Sequence, residues 1–375
     1  MPELLSSPLG PFHRDSGAKI IDFAGWELPL TYQAGARAEH AAVRQAAGVF
    51  DVSHMARFRI SGPGADALMH LAASAPLLQL DPGFGSYLLF LAEDGGIVDD
   101  AYAFRMGNHW HLVSNGATRA DVSAHLLDLA KDSMVQSLGG AEVVDRTRDS
   151  FMLAVQGPLV LPFLESEIGM LSGIARNEIR DVEWGGYTLR ISRTGYTGED
   201  GVEITGEAGD ALAVLALLQG RFGRTSVALQ PCGLAARDSL RFEAGFHLYG
   251  TDMDRSTSPV EVSLKWICDL KNPDHRFHGR PALERRLESD SRRLALLVLD
   301  ENGVPRHGYA VLQGGRPVGE VTSGMYCPTI GVYAANVLVE RNAARRDTEL
   351  AVDIRGRERS GHVVRRPLYR AAYRG

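Results

Sequence analysis

The sequence predicts an α+β protein that ends in a small all-β domain, and three observations carry that prediction. Helix-like and strand-like segments alternate irregularly up to about residue 285, without a short internal repeat. The charged stretch at 284–293, ERRLESDSRR, lacks apolar periodicity and reads as a linker or the exposed end of a helix. Short strand-like runs then follow at regular spacing: LALLVLD, GYAVLQ, RPVGEVTSG, YAANVLVE and ELAVDIR. Glycine-containing turns separate most of them, as in a barrel or sandwich. The expected division is a larger domain over 1–285 and a β domain over 292–375.

The elements follow in order. Residues 36–47, ARAEHAAVRQAA, combine alanine with charged residues at good helix-forming positions, and Gly48 closes the helix. FDVSHMARFRI follows as one extended run with partial alternation. SGPGADALMHLAA reads as a turn entering a short helix. Residues 86–105 divide into two strands around Asp94-Gly95-Gly96, a hairpin signal. A strand at 109–114 and helices near 121–131, 207–222 and 233–245 complete an α+β sheet unit.

At 375 residues the chain suggests two or three structural units. Hydrophobic content of 45% with 23% charged residues places it among soluble globular proteins. No apolar run approaches the roughly 18 residues of a membrane span, and the N-terminus shows no secretory pattern. Cys232, Cys268 and Cys327 are well separated and in no metal-ligand spacing, which fits a reducing compartment, most simply the cytoplasm. Net charge is −6, yet from Arg341 onward ten arginines face four acids. Those arginines either decorate the outside of the β domain or attract an anionic ligand tail or acidic partner. No aromatic–basic pattern accompanies them, which argues against nucleic acid.

The chemistry concentrates in a few places. In 192–204, SRTGYTGEDGVEI, three glycines alternate with Tyr196, Glu199 and Glu203 after a strand-like run. That spacing implies a tightly shaped loop that clamps a ligand. Asp99 and Asp100 share a strand, so their carboxylates diverge. Asp100 falls on the face of Val98, Tyr102 and Phe104, which is expected to bury it. A buried carboxylate finds a firm partner or has its pKa raised, whether its role is structural or catalytic. Arg237 shares a helical stripe with Leu234, Leu240 and Ala244 and so points inward, where Glu203 is a candidate partner. That pair is either a structural bridge or a ligand reader. His54 is expected to be a hydrogen-bonded structural residue. His109 and His111 share a strand face, but no third metal ligand stands at a recognisable spacing. TGYTGEDG lacks the Gly-Lys-Ser/Thr ending of a phosphate loop, and no nucleophile elbow is present.

Several segments, in order, resemble the aminomethyltransferase (T-protein) family of the glycine cleavage system. They are DFAGWELPL, EHAAVRQAAGVFDVSHM, GGIVDD, AVQGP, SRTGYTGEDGVEI, GLAARDSLRFEAGFHLYGTDMD, PVEVSLKW and EVTSGMYCPTIG. The resemblance implies a three-lobed, tetrahydrofolate-binding fold: two interwoven α/β lobes, partly ferredoxin-like, and a C-terminal β-barrel around a central channel. The family's catalytic aspartate, the second of GGxxDD, falls on Asp100. Its folate contacts fall on Met55, Tyr87, Val113, Asn115, Tyr196, Glu203 and Arg237, with Tyr373 added on a looser match. No metal is implied. The implied partner is lipoylated H-protein, whose aminomethyl group passes to tetrahydrofolate with release of ammonia.

The sequence also departs from the family pattern. SHMG is SHMA here (Ala56), Thr-Asn-Asp is replaced by Ser74-Ala75-Pro76, and an aromatic pair by Arg176-Asn177. These changes bear on the donor more than on folate. The runner-up reading is a folate-dependent demethylase or methyltransferase acting on a small methylated compound. A non-enzymatic folate-binding relative would carry a Lys-Gly-Cys-Tyr motif where this chain has GLAARDSLR.

Overall fold

The computed structural model describes residues 4–225 and 227–372. A five-stranded sheet takes the spatial order Phe84–Leu91, Ile97–Arg105, His109–Ser114, Ala56–Ser61 and Glu142–Asp145. With the helices Ala65–Ala72 and Arg119–Leu129, this is a β-α-β-β-α-β plan carrying one added edge strand, a ferredoxin-like arrangement. Its hairpin turn is closed by Asp94 Oδ1, which accepts from the Gly96 backbone N–H at 3.0 Å.

A second sheet repeats the plan with a difference. Its six strands run Ile179–Trp184, Tyr187–Ser192, Gly201–Glu207, Ser150–Gln156, Gly48–Asp51 and Gln230–Pro231. The helices Val160–Glu167 and Ala211–Phe222 belong to it. Gly48–Asp51 lies early in the chain, ahead of the whole first sheet, yet it sits between Ser150–Gln156 and Gln230–Pro231. That insertion interweaves the two lobes. Each lobe keeps its own apolar core, one around Phe58, Leu89 and Phe90, the other around Phe151, Ile191 and Phe222.

The run FDVSHMARFRI is therefore not one strand. Gly48 opens the strand that ends at Asp51, and the strand Ala56–Ser61 belongs to the other sheet. Asp51 Oδ1 accepts from the Ser53 backbone N–H at 2.9 Å, and Met55 N–H reaches the Val52 carbonyl at 3.0 Å. Asp and Ser side chains bind nearby backbone in this way and make turns. The turn places His54 and Met55 at the junction between the lobes.

The helix Arg280–Ser289 takes up most of the charged stretch 284–293, which is thus a helix end. Beyond it a closed six-stranded barrel has the order Arg292–Leu299, Val332–Glu340, Arg316–Cys327, Ala310–Gln313, Glu349–Asp353 and Glu358–Val364. The sixth strand, ERSGHVV, is polar enough to read as a loop in sequence. It closes the barrel against Arg292–Leu299 through Gly361, where a Cβ would lie 2.3 Å from the Val298 carbonyl oxygen.

Candidate functional site

The two lobes and the barrel meet at a cavity of about 1240 Å³. The first lobe supplies Met55, Tyr87, Asp100, Val113 and Asn115; the second supplies Thr194, Tyr196 and Glu203. Arg237 comes from the helix Leu234–Glu243, and Met325 and Tyr326 from the barrel. Seven of the folate contacts and the aspartate expected from the resemblance thus line one space. Tyr373 lies outside the described residues.

On the first wall, Asp100 is fixed from both sides. Tyr87 Oη donates to its Oδ2 at 2.8 Å, and Asn115 Nδ2 donates to its Oδ1 at 2.8 Å. The same Nδ2 donates to Asp99 Oδ1 at 2.8 Å, while the Asn115 backbone N–H reaches Asp99 Oδ2 at 3.1 Å. Asn115 therefore spends its amide N–H groups on two aspartates, and its side-chain oxygen is what it can offer a ligand.

The burial of the two aspartates reverses the expectation. Asp99 is 0% exposed, whereas Asp100 is partly open. Asp100, Tyr102 and Phe104 line the cavity from one face as expected, while Val98, expected with them, enters the core. Asp99 shares its face with Ile97, Ala101 and Ala103, which enter the core. Burial raises the Asp100 carboxyl above the usual carboxylate range, although both donors pull it down. Burial and the Asp100 charge together hold Asp99 well above it.

On the second wall, the glycine loop between Tyr187–Ser192 and Gly201–Glu207 is built around Gln156 of AVQGP, which is wholly buried. Gln156 Nε2 donates to the Thr194 and Val202 carbonyls at 3.0 and 3.2 Å, and its Oε1 accepts from Thr197 Oγ1 at 2.9 Å. A Cβ on Gly195 would lie 2.0 Å from that Oε1, and Gly198 sits at φ +84°. Only glycine fits both demands. The loop stacks Tyr196 on Phe246, with ring centroids 5.4 Å apart, and Tyr196 Oη donates to the His247 carbonyl. Glu199 turns to Arg44 at 3.0 Å, and Arg44 also holds Glu243 at 3.0 Å. Glu199 thus serves the loop's position.

Glu203 accepts from Thr194 Oγ1 at 2.6 Å. Among the described residues no ion pair or hydrogen bond joins it to Arg237. The guanidinium instead lies over the Tyr196 ring, 4.9 Å from its centroid. Arg237 Nη1 is buried and has no hydrogen-bond partner among the described residues. Burial raises the Glu203 carboxyl, partly offset by Thr194 and Arg237, and burial lowers the Arg237 guanidinium. The acid and the base sense each other's charge without neutralising each other by contact. A ligand edge presenting both N–H donors and an acceptor satisfies both at once.

His54 departs from its expected role. It lines the cavity, and its buried Nδ1 has no hydrogen-bond partner among the described residues. The sequence signal was DVSHM itself, but only the fold shows the turn that aims it. Of the departures from the family pattern, Arg176 and Asn177 line the cavity. Ser74 and Ala75 are buried against the first lobe, and Ala56 pairs with Ser114 inside the sheet. Trp266, 75% exposed, also lines the cavity. Among the described residues no group of three or more histidines, cysteines and acids could hold a metal ion. Nor is any helix there long and apolar enough to cross a membrane.

Comparison with known proteins agrees with this architecture. The GCVT N-terminal domain model matches residues 9–272, and the glycine cleavage T-protein C-terminal barrel domain matches 292–370. An aminomethyltransferase of Synechococcus sp. (strain RCC307) is 40% identical over 371 residues, covering 98% of this chain and 99% of the relative. One from Symbiobacterium thermophilum is 38% identical over 384 residues, covering 99% of each. The crystal structure of glycine cleavage system aminomethyltransferase T from Bartonella henselae superposes with a TM-score of 0.89 at 30% identity, covering 98% of this chain and 99% of that one. This chain belongs to the glycine cleavage T-protein (aminomethyltransferase) family.

Proposed function

We propose that this protein is the aminomethyltransferase of a glycine cleavage system. It takes the aminomethyl group from the lipoyl arm of H-protein and yields 5,10-methylenetetrahydrofolate, ammonia and dihydrolipoyl H-protein. Family membership supports folate-dependent one-carbon transfer. The observation that carries the reading further is the pair of unlike walls: a donor-saturated Asp100 facing a Glu203 and an Arg237 that do not bond each other.

The residues fit a reduced folate. Its pterin edge offers ring N–H and amino donors beside an acceptor oxygen, which suits Glu203 and the unpartnered Arg237 Nη1. The Tyr196 ring covers a flat face. Tetrahydrofolate supplies two nitrogens that receive the carbon, while the lipoyl sulfur leaves as a thiol and the donor nitrogen as ammonia. Asp100 would stabilise developing positive charge beside those nitrogens, and Tyr87 and Asn115 keep both its oxygens in place. We assign the reaction to the cytoplasm, with no metal and no nucleic acid involved.

The test supplies tetrahydrofolate with aminomethylated H-protein, and in a parallel arm with a panel of methylated small molecules. Methylenetetrahydrofolate is expected only in the first arm. Methyltetrahydrofolate from the second would make the protein a demethylase. If the arginine-rich end docks acidic H-protein, the first-arm rate falls steeply with salt.

A further inference from the structure

An asparagine amide can exchange its oxygen and nitrogen by a half-turn of the side chain, so its partners decide which way it faces. At Asn115 the backbone has little room to adjust. Thr118 Oγ1 donates to its carbonyl at 3.1 Å, and a Cβ on the next residue, Gly116, would lie 2.4 Å from the His54 carbonyl oxygen. The side-chain torsion is the freedom that remains, and Asp99 meets it from behind the cavity wall. Asp99 is 0% exposed, and its two oxygens take the Asn115 backbone N–H at 3.1 Å and a side-chain N–H at 2.8 Å. Asn115 Nδ2 also reaches Asp100 Oδ1 at 2.8 Å and the Asp100 carbonyl at 3.2 Å. A half-turn would press the amide oxygen against two carboxylates, which only accept. The observed orientation leaves that oxygen to the cavity that Asn115 lines.

We infer that Asp99 is a positioning residue for Asp100: by gripping Asn115 at its backbone and its side chain, it directs the amide N–H to the Asp100 carboxylate and the amide oxygen to the ligand. The inference rests on the folate reading above. It separates the two neighbouring aspartates, one facing the cavity and the other acting through Asn115 from the core. Asp99 accepts an N–H on each oxygen, as an anion does, and both Asn115 donors oppose the burial that raises its carboxyl. A buried amide deprived of one acceptor turns to find another, because an unmade bond there is costly. Without Asp99, Asn115 would therefore hold Asp100 less firmly.

The experiment is a double-mutant cycle on the full-length protein, read as kcat at saturating tetrahydrofolate and aminomethylated H-protein. Asp99→Asn keeps the volume and sets an amide N–H against one Asn115 donor, so kcat should fall roughly 10- to 100-fold. In an Asn115→Ala background the same change should cost less than about twofold, because the residue it acts through is gone. A merely structural Asp99 would cost as much in either background. Equal costs, or no fall in kcat, overturn the inference. In the unaltered protein, both side-chain amide protons of Asn115 are assigned by their loss in Asn115→Ala. They should exchange with water at least about tenfold more slowly than those of the exposed Asn108. Fast exchange of either proton overturns the inference even if Asp99→Asn fails to fold. An unaltered protein that makes no methylenetetrahydrofolate and does not bind folinic acid, a stable reduced folate, would instead remove the folate reading, and the exchange would still decide whether Asp99 holds the amide.

Discussion

The two α/β lobes share a strand plan and each turns one strand carboxylate into the cavity, yet they treat it differently. Asp100 in the first lobe has a donor on each oxygen, and both donors come from its own sheet or the turn beside it. Glu203 in the second has, among the described residues, one donor, Thr194, and an arginine nearby that it does not bond. A carboxylate whose oxygens are both held has its position and charge fixed before anything binds, which suits stabilising charge in a transition state. A carboxylate left short of donors beside a guanidinium with an unpartnered Nη1 gains most when a ligand arrives. In the proposed function the first wall therefore serves chemistry and the second recognition.

Replacing one member of each wall separates the roles. Asp100→Asn keeps the shape and loses the charge, so turnover should fall by about 10²–10⁴-fold, with folate affinity nearly unchanged. Parallel losses in kcat and affinity would erase the distinction between the walls. Arg237→Gln should do the converse. It should weaken folinic acid binding roughly 10- to 100-fold, while kcat at saturating folate falls much less. Calorimetry and single-turnover rates on the two variants make the comparison directly.

This division was only half legible in the sequence. The strand alternation around Asp99 and Asp100 is a local property, so the faces could be read from GGIVDD. Which face met solvent could not, because the cavity is made by a second lobe and a barrel that local pattern does not position. The same limit applied to FDVSHMARFRI: its residues have strand character, but Asp51 turns a carboxylate oxygen onto the Ser53 backbone N–H and makes a turn. Arg237 was legible as inward-pointing from its helical stripe, yet nothing local showed that its guanidinium would lie over the Tyr196 ring rather than bond Glu203. The Tyr196 loop in turn depends on Gln156, some forty residues earlier in the chain. The barrel's first five strands were apolar enough to see, while the sixth needed the closure at Gly361 to become a strand.

A subtler difference between the walls lies in how their donors tune the acids. The Tyr87 hydroxyl lowers the Asp100 pKa against the larger effect of burial. Tyr87→Phe removes that donor, so the carboxyl should titrate higher. With the anion as the proposed active form, the acid limb of the pH–rate profile should move up with it. At pH well above that limb the rate should recover to within a few-fold of the unaltered enzyme. An unmoved limb would mean that a group other than Asp100 sets the profile.

The smallest expected effect belongs to Thr194, which gives Glu203 its one described hydrogen bond at 2.6 Å. Thr194→Val preserves the volume and removes the donor. Burial already raises the Glu203 carboxyl, and losing Thr194 raises it further. More of the acid is then protonated near neutral pH, and a protonated acid offers fewer acceptor sites to the pterin N–H groups. Folinic acid binding should weaken roughly two- to tenfold at about pH 6. The loss should shrink as pH rises, because ionisation restores the carboxylate while the pterin's own donors replace the lost hydroxyl. Asp100 would not respond in this way, since its donors are still present after Thr194→Val. A loss of affinity that stayed constant across pH would show that Thr194 acts on the loop's shape, and the recognition wall would then be held by geometry alone.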